Sequence, residues 1–103
     1  WINNHAPLVQ SVSKDLKILT YHQIHCQDFD FLLGARMARV TQGALPHDYD
    51  GIAELCWESW EVFKHLSDDQ EAQKAGKILL EDEAKFINFE KSPLMFSDIK
   101  EIF

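Results

Sequence analysis

A chain of 103 residues, 46% hydrophobic and 26% charged with four Gly and three Pro, has the composition of a single globular domain and excludes extended disorder and collagen-like repeats. Ten Lys and Arg against seventeen Asp and Glu leave a net charge of −7, whose field repels phosphate backbones and anionic lipid surfaces, so nucleic-acid and membrane-surface roles drop out. No apolar run nears the roughly 20 residues that span a bilayer, and no basic n-region leads into an apolar stretch at the start, the profile of a soluble, unexported, cytoplasmic protein.

Along the chain, Trp1, His5, Leu8 and Val9 follow the spacing of a helix face and read as the tail of a helix, with Pro7 loosening it. Ile18 to His25 is rich in β-branched and aromatic side chains and is predicted to be a strand. Asp28 then caps a predicted helix over Phe29 to Gln42, on which Phe29, Leu32, Leu33, Arg36, Met37 and Val40 recur at helical spacing, and Gly43 closes it. Turn chemistry in Pro46 to Gly51 precedes a second strand, Ile52 to Glu58. Ser59 caps a short helix through Leu66. Ser67-Asp68-Asp69-Gln70 has capping-box form and opens a helical stretch to about Asn88, with a possible break at Gly76. Ser92-Pro93 stops it, and Leu94 to Phe103 alternates roughly enough to be a last strand.

Alternate side chains of a strand share a face, so Tyr21, Gln23 and His25 point one way and His22 and Ile24 the other. A phenol, an amide and an imidazole in one row suit a pocket wall; the competing reading is a solvent-facing strand whose polar side chains do nothing in particular. His25 is the key residue, because imidazole titrates near neutral pH and can exchange a proton with substrate. His22, His25 and Cys26 would converge on a metal only if the segment were helical, and on a strand they splay, so no metal is expected. His47, in a turn beside Asp48, reads as exposed. His5 shares its stripe with Trp1 and Leu8 and should face inward, either in a site or as a core histidine bonded to backbone. From Leu79 to Phe89, Leu79, Phe86 and Phe89 define an apolar stripe whose arc includes Asp82 and Glu83. Carboxylates there sit at the rim or, beside a histidine, orient the imidazole. No G-x-S-x-G or phosphate loop is present, so nucleophilic serine catalysis and nucleotide binding have no support.

Two cysteines, Cys26 and Cys56, are too few for a disulfide scaffold and read as buried thiols in a reducing compartment. A domain this small buries well under three quarters of its unfolded surface, so a second subunit would add stability and a homodimer is expected. The chain opens at Trp1 and not Met, as a fragment or processed product would.

Taken in order, Trp1-(three residues)-His5-Ala6-Pro7-Leu8-Val9, Tyr21-x-Gln23-x-His25, Tyr49-Asp50-Gly51-Ile52-Ala53-Glu54-Leu55 and Asp82-Glu83-(two residues)-Phe86-Ile87-Asn88 resemble the EthD-domain family of dimeric α+β barrels. The resemblance covers nearly the whole chain and implies one EthD-like domain over residues 1–103. The implied fold is α+β: a ferredoxin-like βαββαβ unit, the half of a dimeric barrel, lacking its first strand and the end of its last. Phe29 to Pro46 matches a variable insert of larger fungal-type members. The family acts in small-molecule metabolism without a bound metal or organic cofactor. Its founding branch accompanies an ether-degrading oxygenase system, and fungal members are linked to aromatic polyketide and pigment pathways.

Matching the motifs places His5, Tyr21, Gln23 and His25 at one pocket and gives Asp82 and Glu83 a structural or orienting role. The function read from this is a cofactor-independent decarboxylase of an aromatic polyketide acid. His25 is its proton donor, Tyr21 the donor to developing oxygen charge and His5 the carboxylate-side partner. Gln23 and Asp82 complete the substrate-binding set, with Leu19, Trp57 and Phe86 as apolar walls. The alternatives are a dehydratase or oxygenase-like relative, a non-catalytic small-molecule-binding accessory of an oxygenase system, and a truncated inactive product.

Overall fold

The structure, a computed structural model, describes residues 1–27, 33–38 and 49–103. It is α+β. The described elements are α1 (His5–Val12), β1 (Thr20–His25), α2 (Leu33–Ala38), β2 (Gly51–Cys56), α3 (Trp60–His65), a 3-10 turn (Leu66–Asp68), α4 (Gln70–Glu83) and a second 3-10 turn (Phe89–Lys91). They fall into two compact units, one of Trp1–Leu16 with His65–Phe103, the other of Lys17–Lys64.

In the first unit, α1 packs on α4. Burial follows helical spacing on both: His5, Val9 and Val12 on α1, and Ala72, Ala75 and Leu79 on α4. The two alanines let the helix backbones approach closely. Trp1 precedes α1 instead of lying on its stripe, and its carbonyl accepts from the backbone N–H of His5 and Ala6 at 3.0 and 3.2 Å. Pro7 does not loosen the helix. It stands in the first turn, where a backbone N–H would have no acceptor inside the helix, so its missing donor costs nothing there.

The N-cap of α4 is Asp69, two residues past the predicted Ser67. Its Oδ1 accepts from the backbone N–H of Glu71 at 2.9 Å and of Ala72 at 3.2 Å, while the Gln73 side-chain amide donates to the Ser67 carbonyl. The helix passes Gly76 unbroken and ends at Glu83, short of the predicted Asn88. Beyond it the N–H groups of Lys85 and Phe86 bond the carbonyls of Asp82 and Glu83 at 3.1 Å each, a tighter turn that satisfies the last carbonyls. Leu94 to Phe103 forms no strand. Pro93 removes a donor at its start, Leu94, Met95 and Phe96 put three apolar side chains in succession, and no sheet edge pairs with it.

In the second unit, β1 and β2 pair antiparallel in the register Tyr21↔Leu55, Gln23↔Ala53 and His25↔Gly51, with His22↔Glu54 and Ile24↔Ile52 on the other face. The ladder extends past both strand ends, through Leu19 N–H to the Cys56 carbonyl at 2.8 Å and Cys26 N–H to the Asp50 carbonyl at 3.0 Å. Both predicted strands therefore form, within bounds shifted by one or two residues. Ser59 Oγ accepts from Val62 N–H at 3.2 Å and opens α3 as expected. Phe63 on α3 meets Trp57 edge-on at 4.8 Å between ring centroids. Of the predicted helix over Phe29 to Gln42, α2 is the described part; Asp28, Gly43, Pro46 and His47 lie outside the described residues. Cys26 and Cys56 are free and half-buried, not buried.

Because Asp69 satisfies two of the orphan donors of α4, Asp69→Ala is expected to lower the unfolding free energy by about 1 kcal/mol. Urea unfolding should show a reduced midpoint at unchanged slope; an unshifted midpoint would mean that water replaces the cap without cost.

Candidate functional site

The strand parity expected for β1 produces a hydrogen-bonded row. His25 Nε2 stands 3.1 Å from Gln23 Oε1, and Gln23 Nε2 donates to Tyr21 Oη at 2.9 Å. Opposite these three, β2 places Leu55, Ala53 and Gly51, residues that shrink in size toward His25. Tyr21 and Gln23 are half-buried and His25 is exposed. On the other face His22 Nδ1 meets Glu54 Oε1 at 3.1 Å, a pair open to solvent. His22 and His25 thus diverge, and among the described residues no three His, Cys, Asp or Glu side chains gather as metal ligands would.

The second cluster is built by α1 and the end of α4. His5, 4% exposed, turns Nδ1 to Asp82 Oδ2 at 2.7 Å and Nε2 toward Glu83 Oε1 at 3.7 Å. An ionised carboxylate only accepts, so Nδ1 carries the hydrogen and Nε2 is the nitrogen left to exchange one. Phe86 meets the ring edge-on at 5.1 Å. The Asp82 carboxyl is held below its usual range, first by the hydrogen bond from His5 and, against the opposing effect of burial, by Lys85, whose Nζ stands 3.4 Å from Oδ1. Glu83 moves the other way. Burial raises it, His5 offsets part of the rise, and the neighbouring Asp82 charge adds to it.

Of the expected site residues, the structure joins Tyr21, Gln23 and His25 in one row and His5, Asp82 and Phe86 in one cluster. The two groups belong to different units and each stands on its own geometry. Leu19 is 64% exposed beside the start of β1, Trp57 is packed against Phe63, and Phe86 is partly exposed over His5. Glu83, given a structural or orienting role with Asp82 in the sequence reading, stands 3.7 Å from His5 Nε2, beyond hydrogen-bond reach.

The family model for the EthD domain matches residues 1–90, and the chain belongs to that family. No curated protein and no solved structure matches it. Among the described residues no helix is long and apolar enough to cross a membrane.

The opposed shifts of the two acids fix the sign of a pH experiment. Asp82, depressed in the folded state, contributes stability above its unfolded value of about 4, and that contribution is lost as pH falls through the depressed folded value. Glu83, raised when folded, costs stability as pH climbs from its ordinary value through the raised one. Asp82→Asn is therefore expected to destabilise at pH 7 and to converge on wild type in acid, whereas Glu83→Gln should stabilise slightly at pH 7. Thermal unfolding across pH 2.5–7 checks both signs.

Proposed function

We propose that this EthD-domain chain is a cofactor-independent tailoring enzyme of aromatic polyketide or pigment biosynthesis, a lyase that removes CO₂ from a β-keto or ortho-hydroxy carboxylic acid. The row on β1 carries the proposal: an imidazole able to give a proton and a phenol able to donate to oxygen, on the same strand face. In a β-keto acid, the bond between the carboxylate carbon and the α-carbon breaks. Its electron pair moves into an enolate whose oxygen takes the Tyr21 hydrogen bond, CO₂ departs, and His25 returns a proton to the α-carbon. Leu19 and Trp57, in the same unit as the row, supply apolar surface that strips water from the leaving carboxylate.

His25→Gln and Tyr21→Phe are each expected to cut kcat about 100-fold, with substrate binding largely kept. Labelled CO₂ released from a panel of ortho-hydroxyaryl carboxylic acids reads this. Tight binding across the panel with no CO₂ released from any acid would replace the enzyme by a non-catalytic small-molecule carrier.

We also propose that the chain works as a homodimer in the cytoplasm, where free thiols persist. Support comes from the second unit: among its described residues no side chain is fully buried, and Leu19, Ile24 and Ile52 are 64%, 45% and 55% exposed. A two-stranded sheet is marginal alone and needs a covering layer. Sedimentation over a dilution series should show a dimer that dissociates at low concentration; a monomer at every concentration would contradict the pairing.

A further inference from the structure

We infer that Gln23 is a positioning residue that sets the hydrogen direction of the whole row, and not a group that touches substrate. This rests on the reading of Tyr21 and His25 as the working donors. The amide lies between them on one strand face, with Oε1 3.1 Å from His25 Nε2 and Nε2 donating to Tyr21 Oη at 2.9 Å. A carbonyl oxygen accepts only, so the His25 contact is a hydrogen bond when Nε2 carries the hydrogen. The neutral ring is then the Nε2–H tautomer.

At the other end Gln23 occupies a lone pair of the phenol oxygen. The Tyr21 hydrogen cannot return to the amide nitrogen and is directed to a third group, the position a developing oxyanion would fill. Donation into the phenol oxygen also polarises O–H and makes it a better donor. One amide thereby makes Tyr21 an outward donor and sets the hydrogen of His25 on Nε2. The reversed amide would do the opposite: Tyr21 would donate inward to Oε1, and the Gln23 NH₂ would donate to an unprotonated His25 Nε2.

The two directions differ in observables that need no turnover. In the ¹⁵N spectrum of the free protein at a pH where His25 is neutral, Nε2 should be protonated and Nδ1 not. Tyr21→Phe, which removes only Oη, should leave that tautomer in place and shift the Gln23 side-chain NH₂ resonance. Gln23→Leu should change the His25 tautomer population. Protonated Nδ1 in wild type, or a Gln23 resonance indifferent to Tyr21→Phe, would overturn the inference.

With a substrate that releases CO₂, Gln23→Leu should lower kcat about tenfold and leave KM within about twofold. A raised KM at unchanged kcat would instead make Gln23 a substrate contact and overturn the positioning role. Absence of CO₂ release from every acid counts against the decarboxylase alone, since the spectra decide the direction of the row separately.

Discussion

The antiparallel register of β1 and β2 is the constraint on which the candidate chemistry depends. A slip of one residue in a strand pair turns every side chain to the opposite face. Here it would carry Tyr21, Gln23 and His25 from their place opposite Leu55, Ala53 and Gly51 to the face now held by His22 and Glu54. The register has supports at both levels. Ile24 faces Ile52 and His22 faces Glu54 across the ladder, and exposed pairs of this kind contribute about 0.2–1 kcal/mol each. The backbone bonds of Leu19 and Cys26 hold the ladder at its ends.

A different constraint governs the helical unit. An imidazole as buried as His5 needs partners for its nitrogens, because an unsatisfied buried polar group costs about 1–3 kcal/mol. Asp82 answers that need from the same stripe that buries Ala72, Ala75 and Leu79, one helical turn beyond Leu79. Its neighbour Glu83 falls on the other ring nitrogen at a distance too long for a hydrogen bond. Adjacent carboxylates in one helix are thus pushed apart in acidity, one held ionised by a bond and the other driven toward neutrality by burial.

How far the sequence carried these features depends on the range of the interaction behind each. The facing of Tyr21, Gln23 and His25 follows from strand parity alone, a local rule, and both strands formed almost where expected. The burial of His5 followed from helical spacing in the same way. The cap of α4 failed by two residues because Ser67, Asp68 and Asp69 are all competent cap residues, and the choice among them is made by where the preceding 3-10 turn ends. The absent last strand has a non-local cause. An extended segment becomes a strand only when an edge accepts it, and alternation in Ile99-Lys100-Glu101-Ile102-Phe103 says nothing about an edge. The partner of His22 was equally hidden, since Glu54 is 32 residues away and is brought opposite only by the register.

These two scales meet in the question of what stabilises the chain. Its buried apolar residues, among those described, are Val9, Val12, Ala72, Ala75 and Leu79, all in the helical unit. This core holds α1 on α4, whereas among the described residues of the unit that bears Tyr21 and His25 none is buried. A row of donors in that setting is only as well positioned as the surface that packs against its strand. The apolar exposure at Ile24 and Ile52, on the face opposite the row, is what a second layer would bury, so in the proposed homodimer that layer would fix the strands that carry the row.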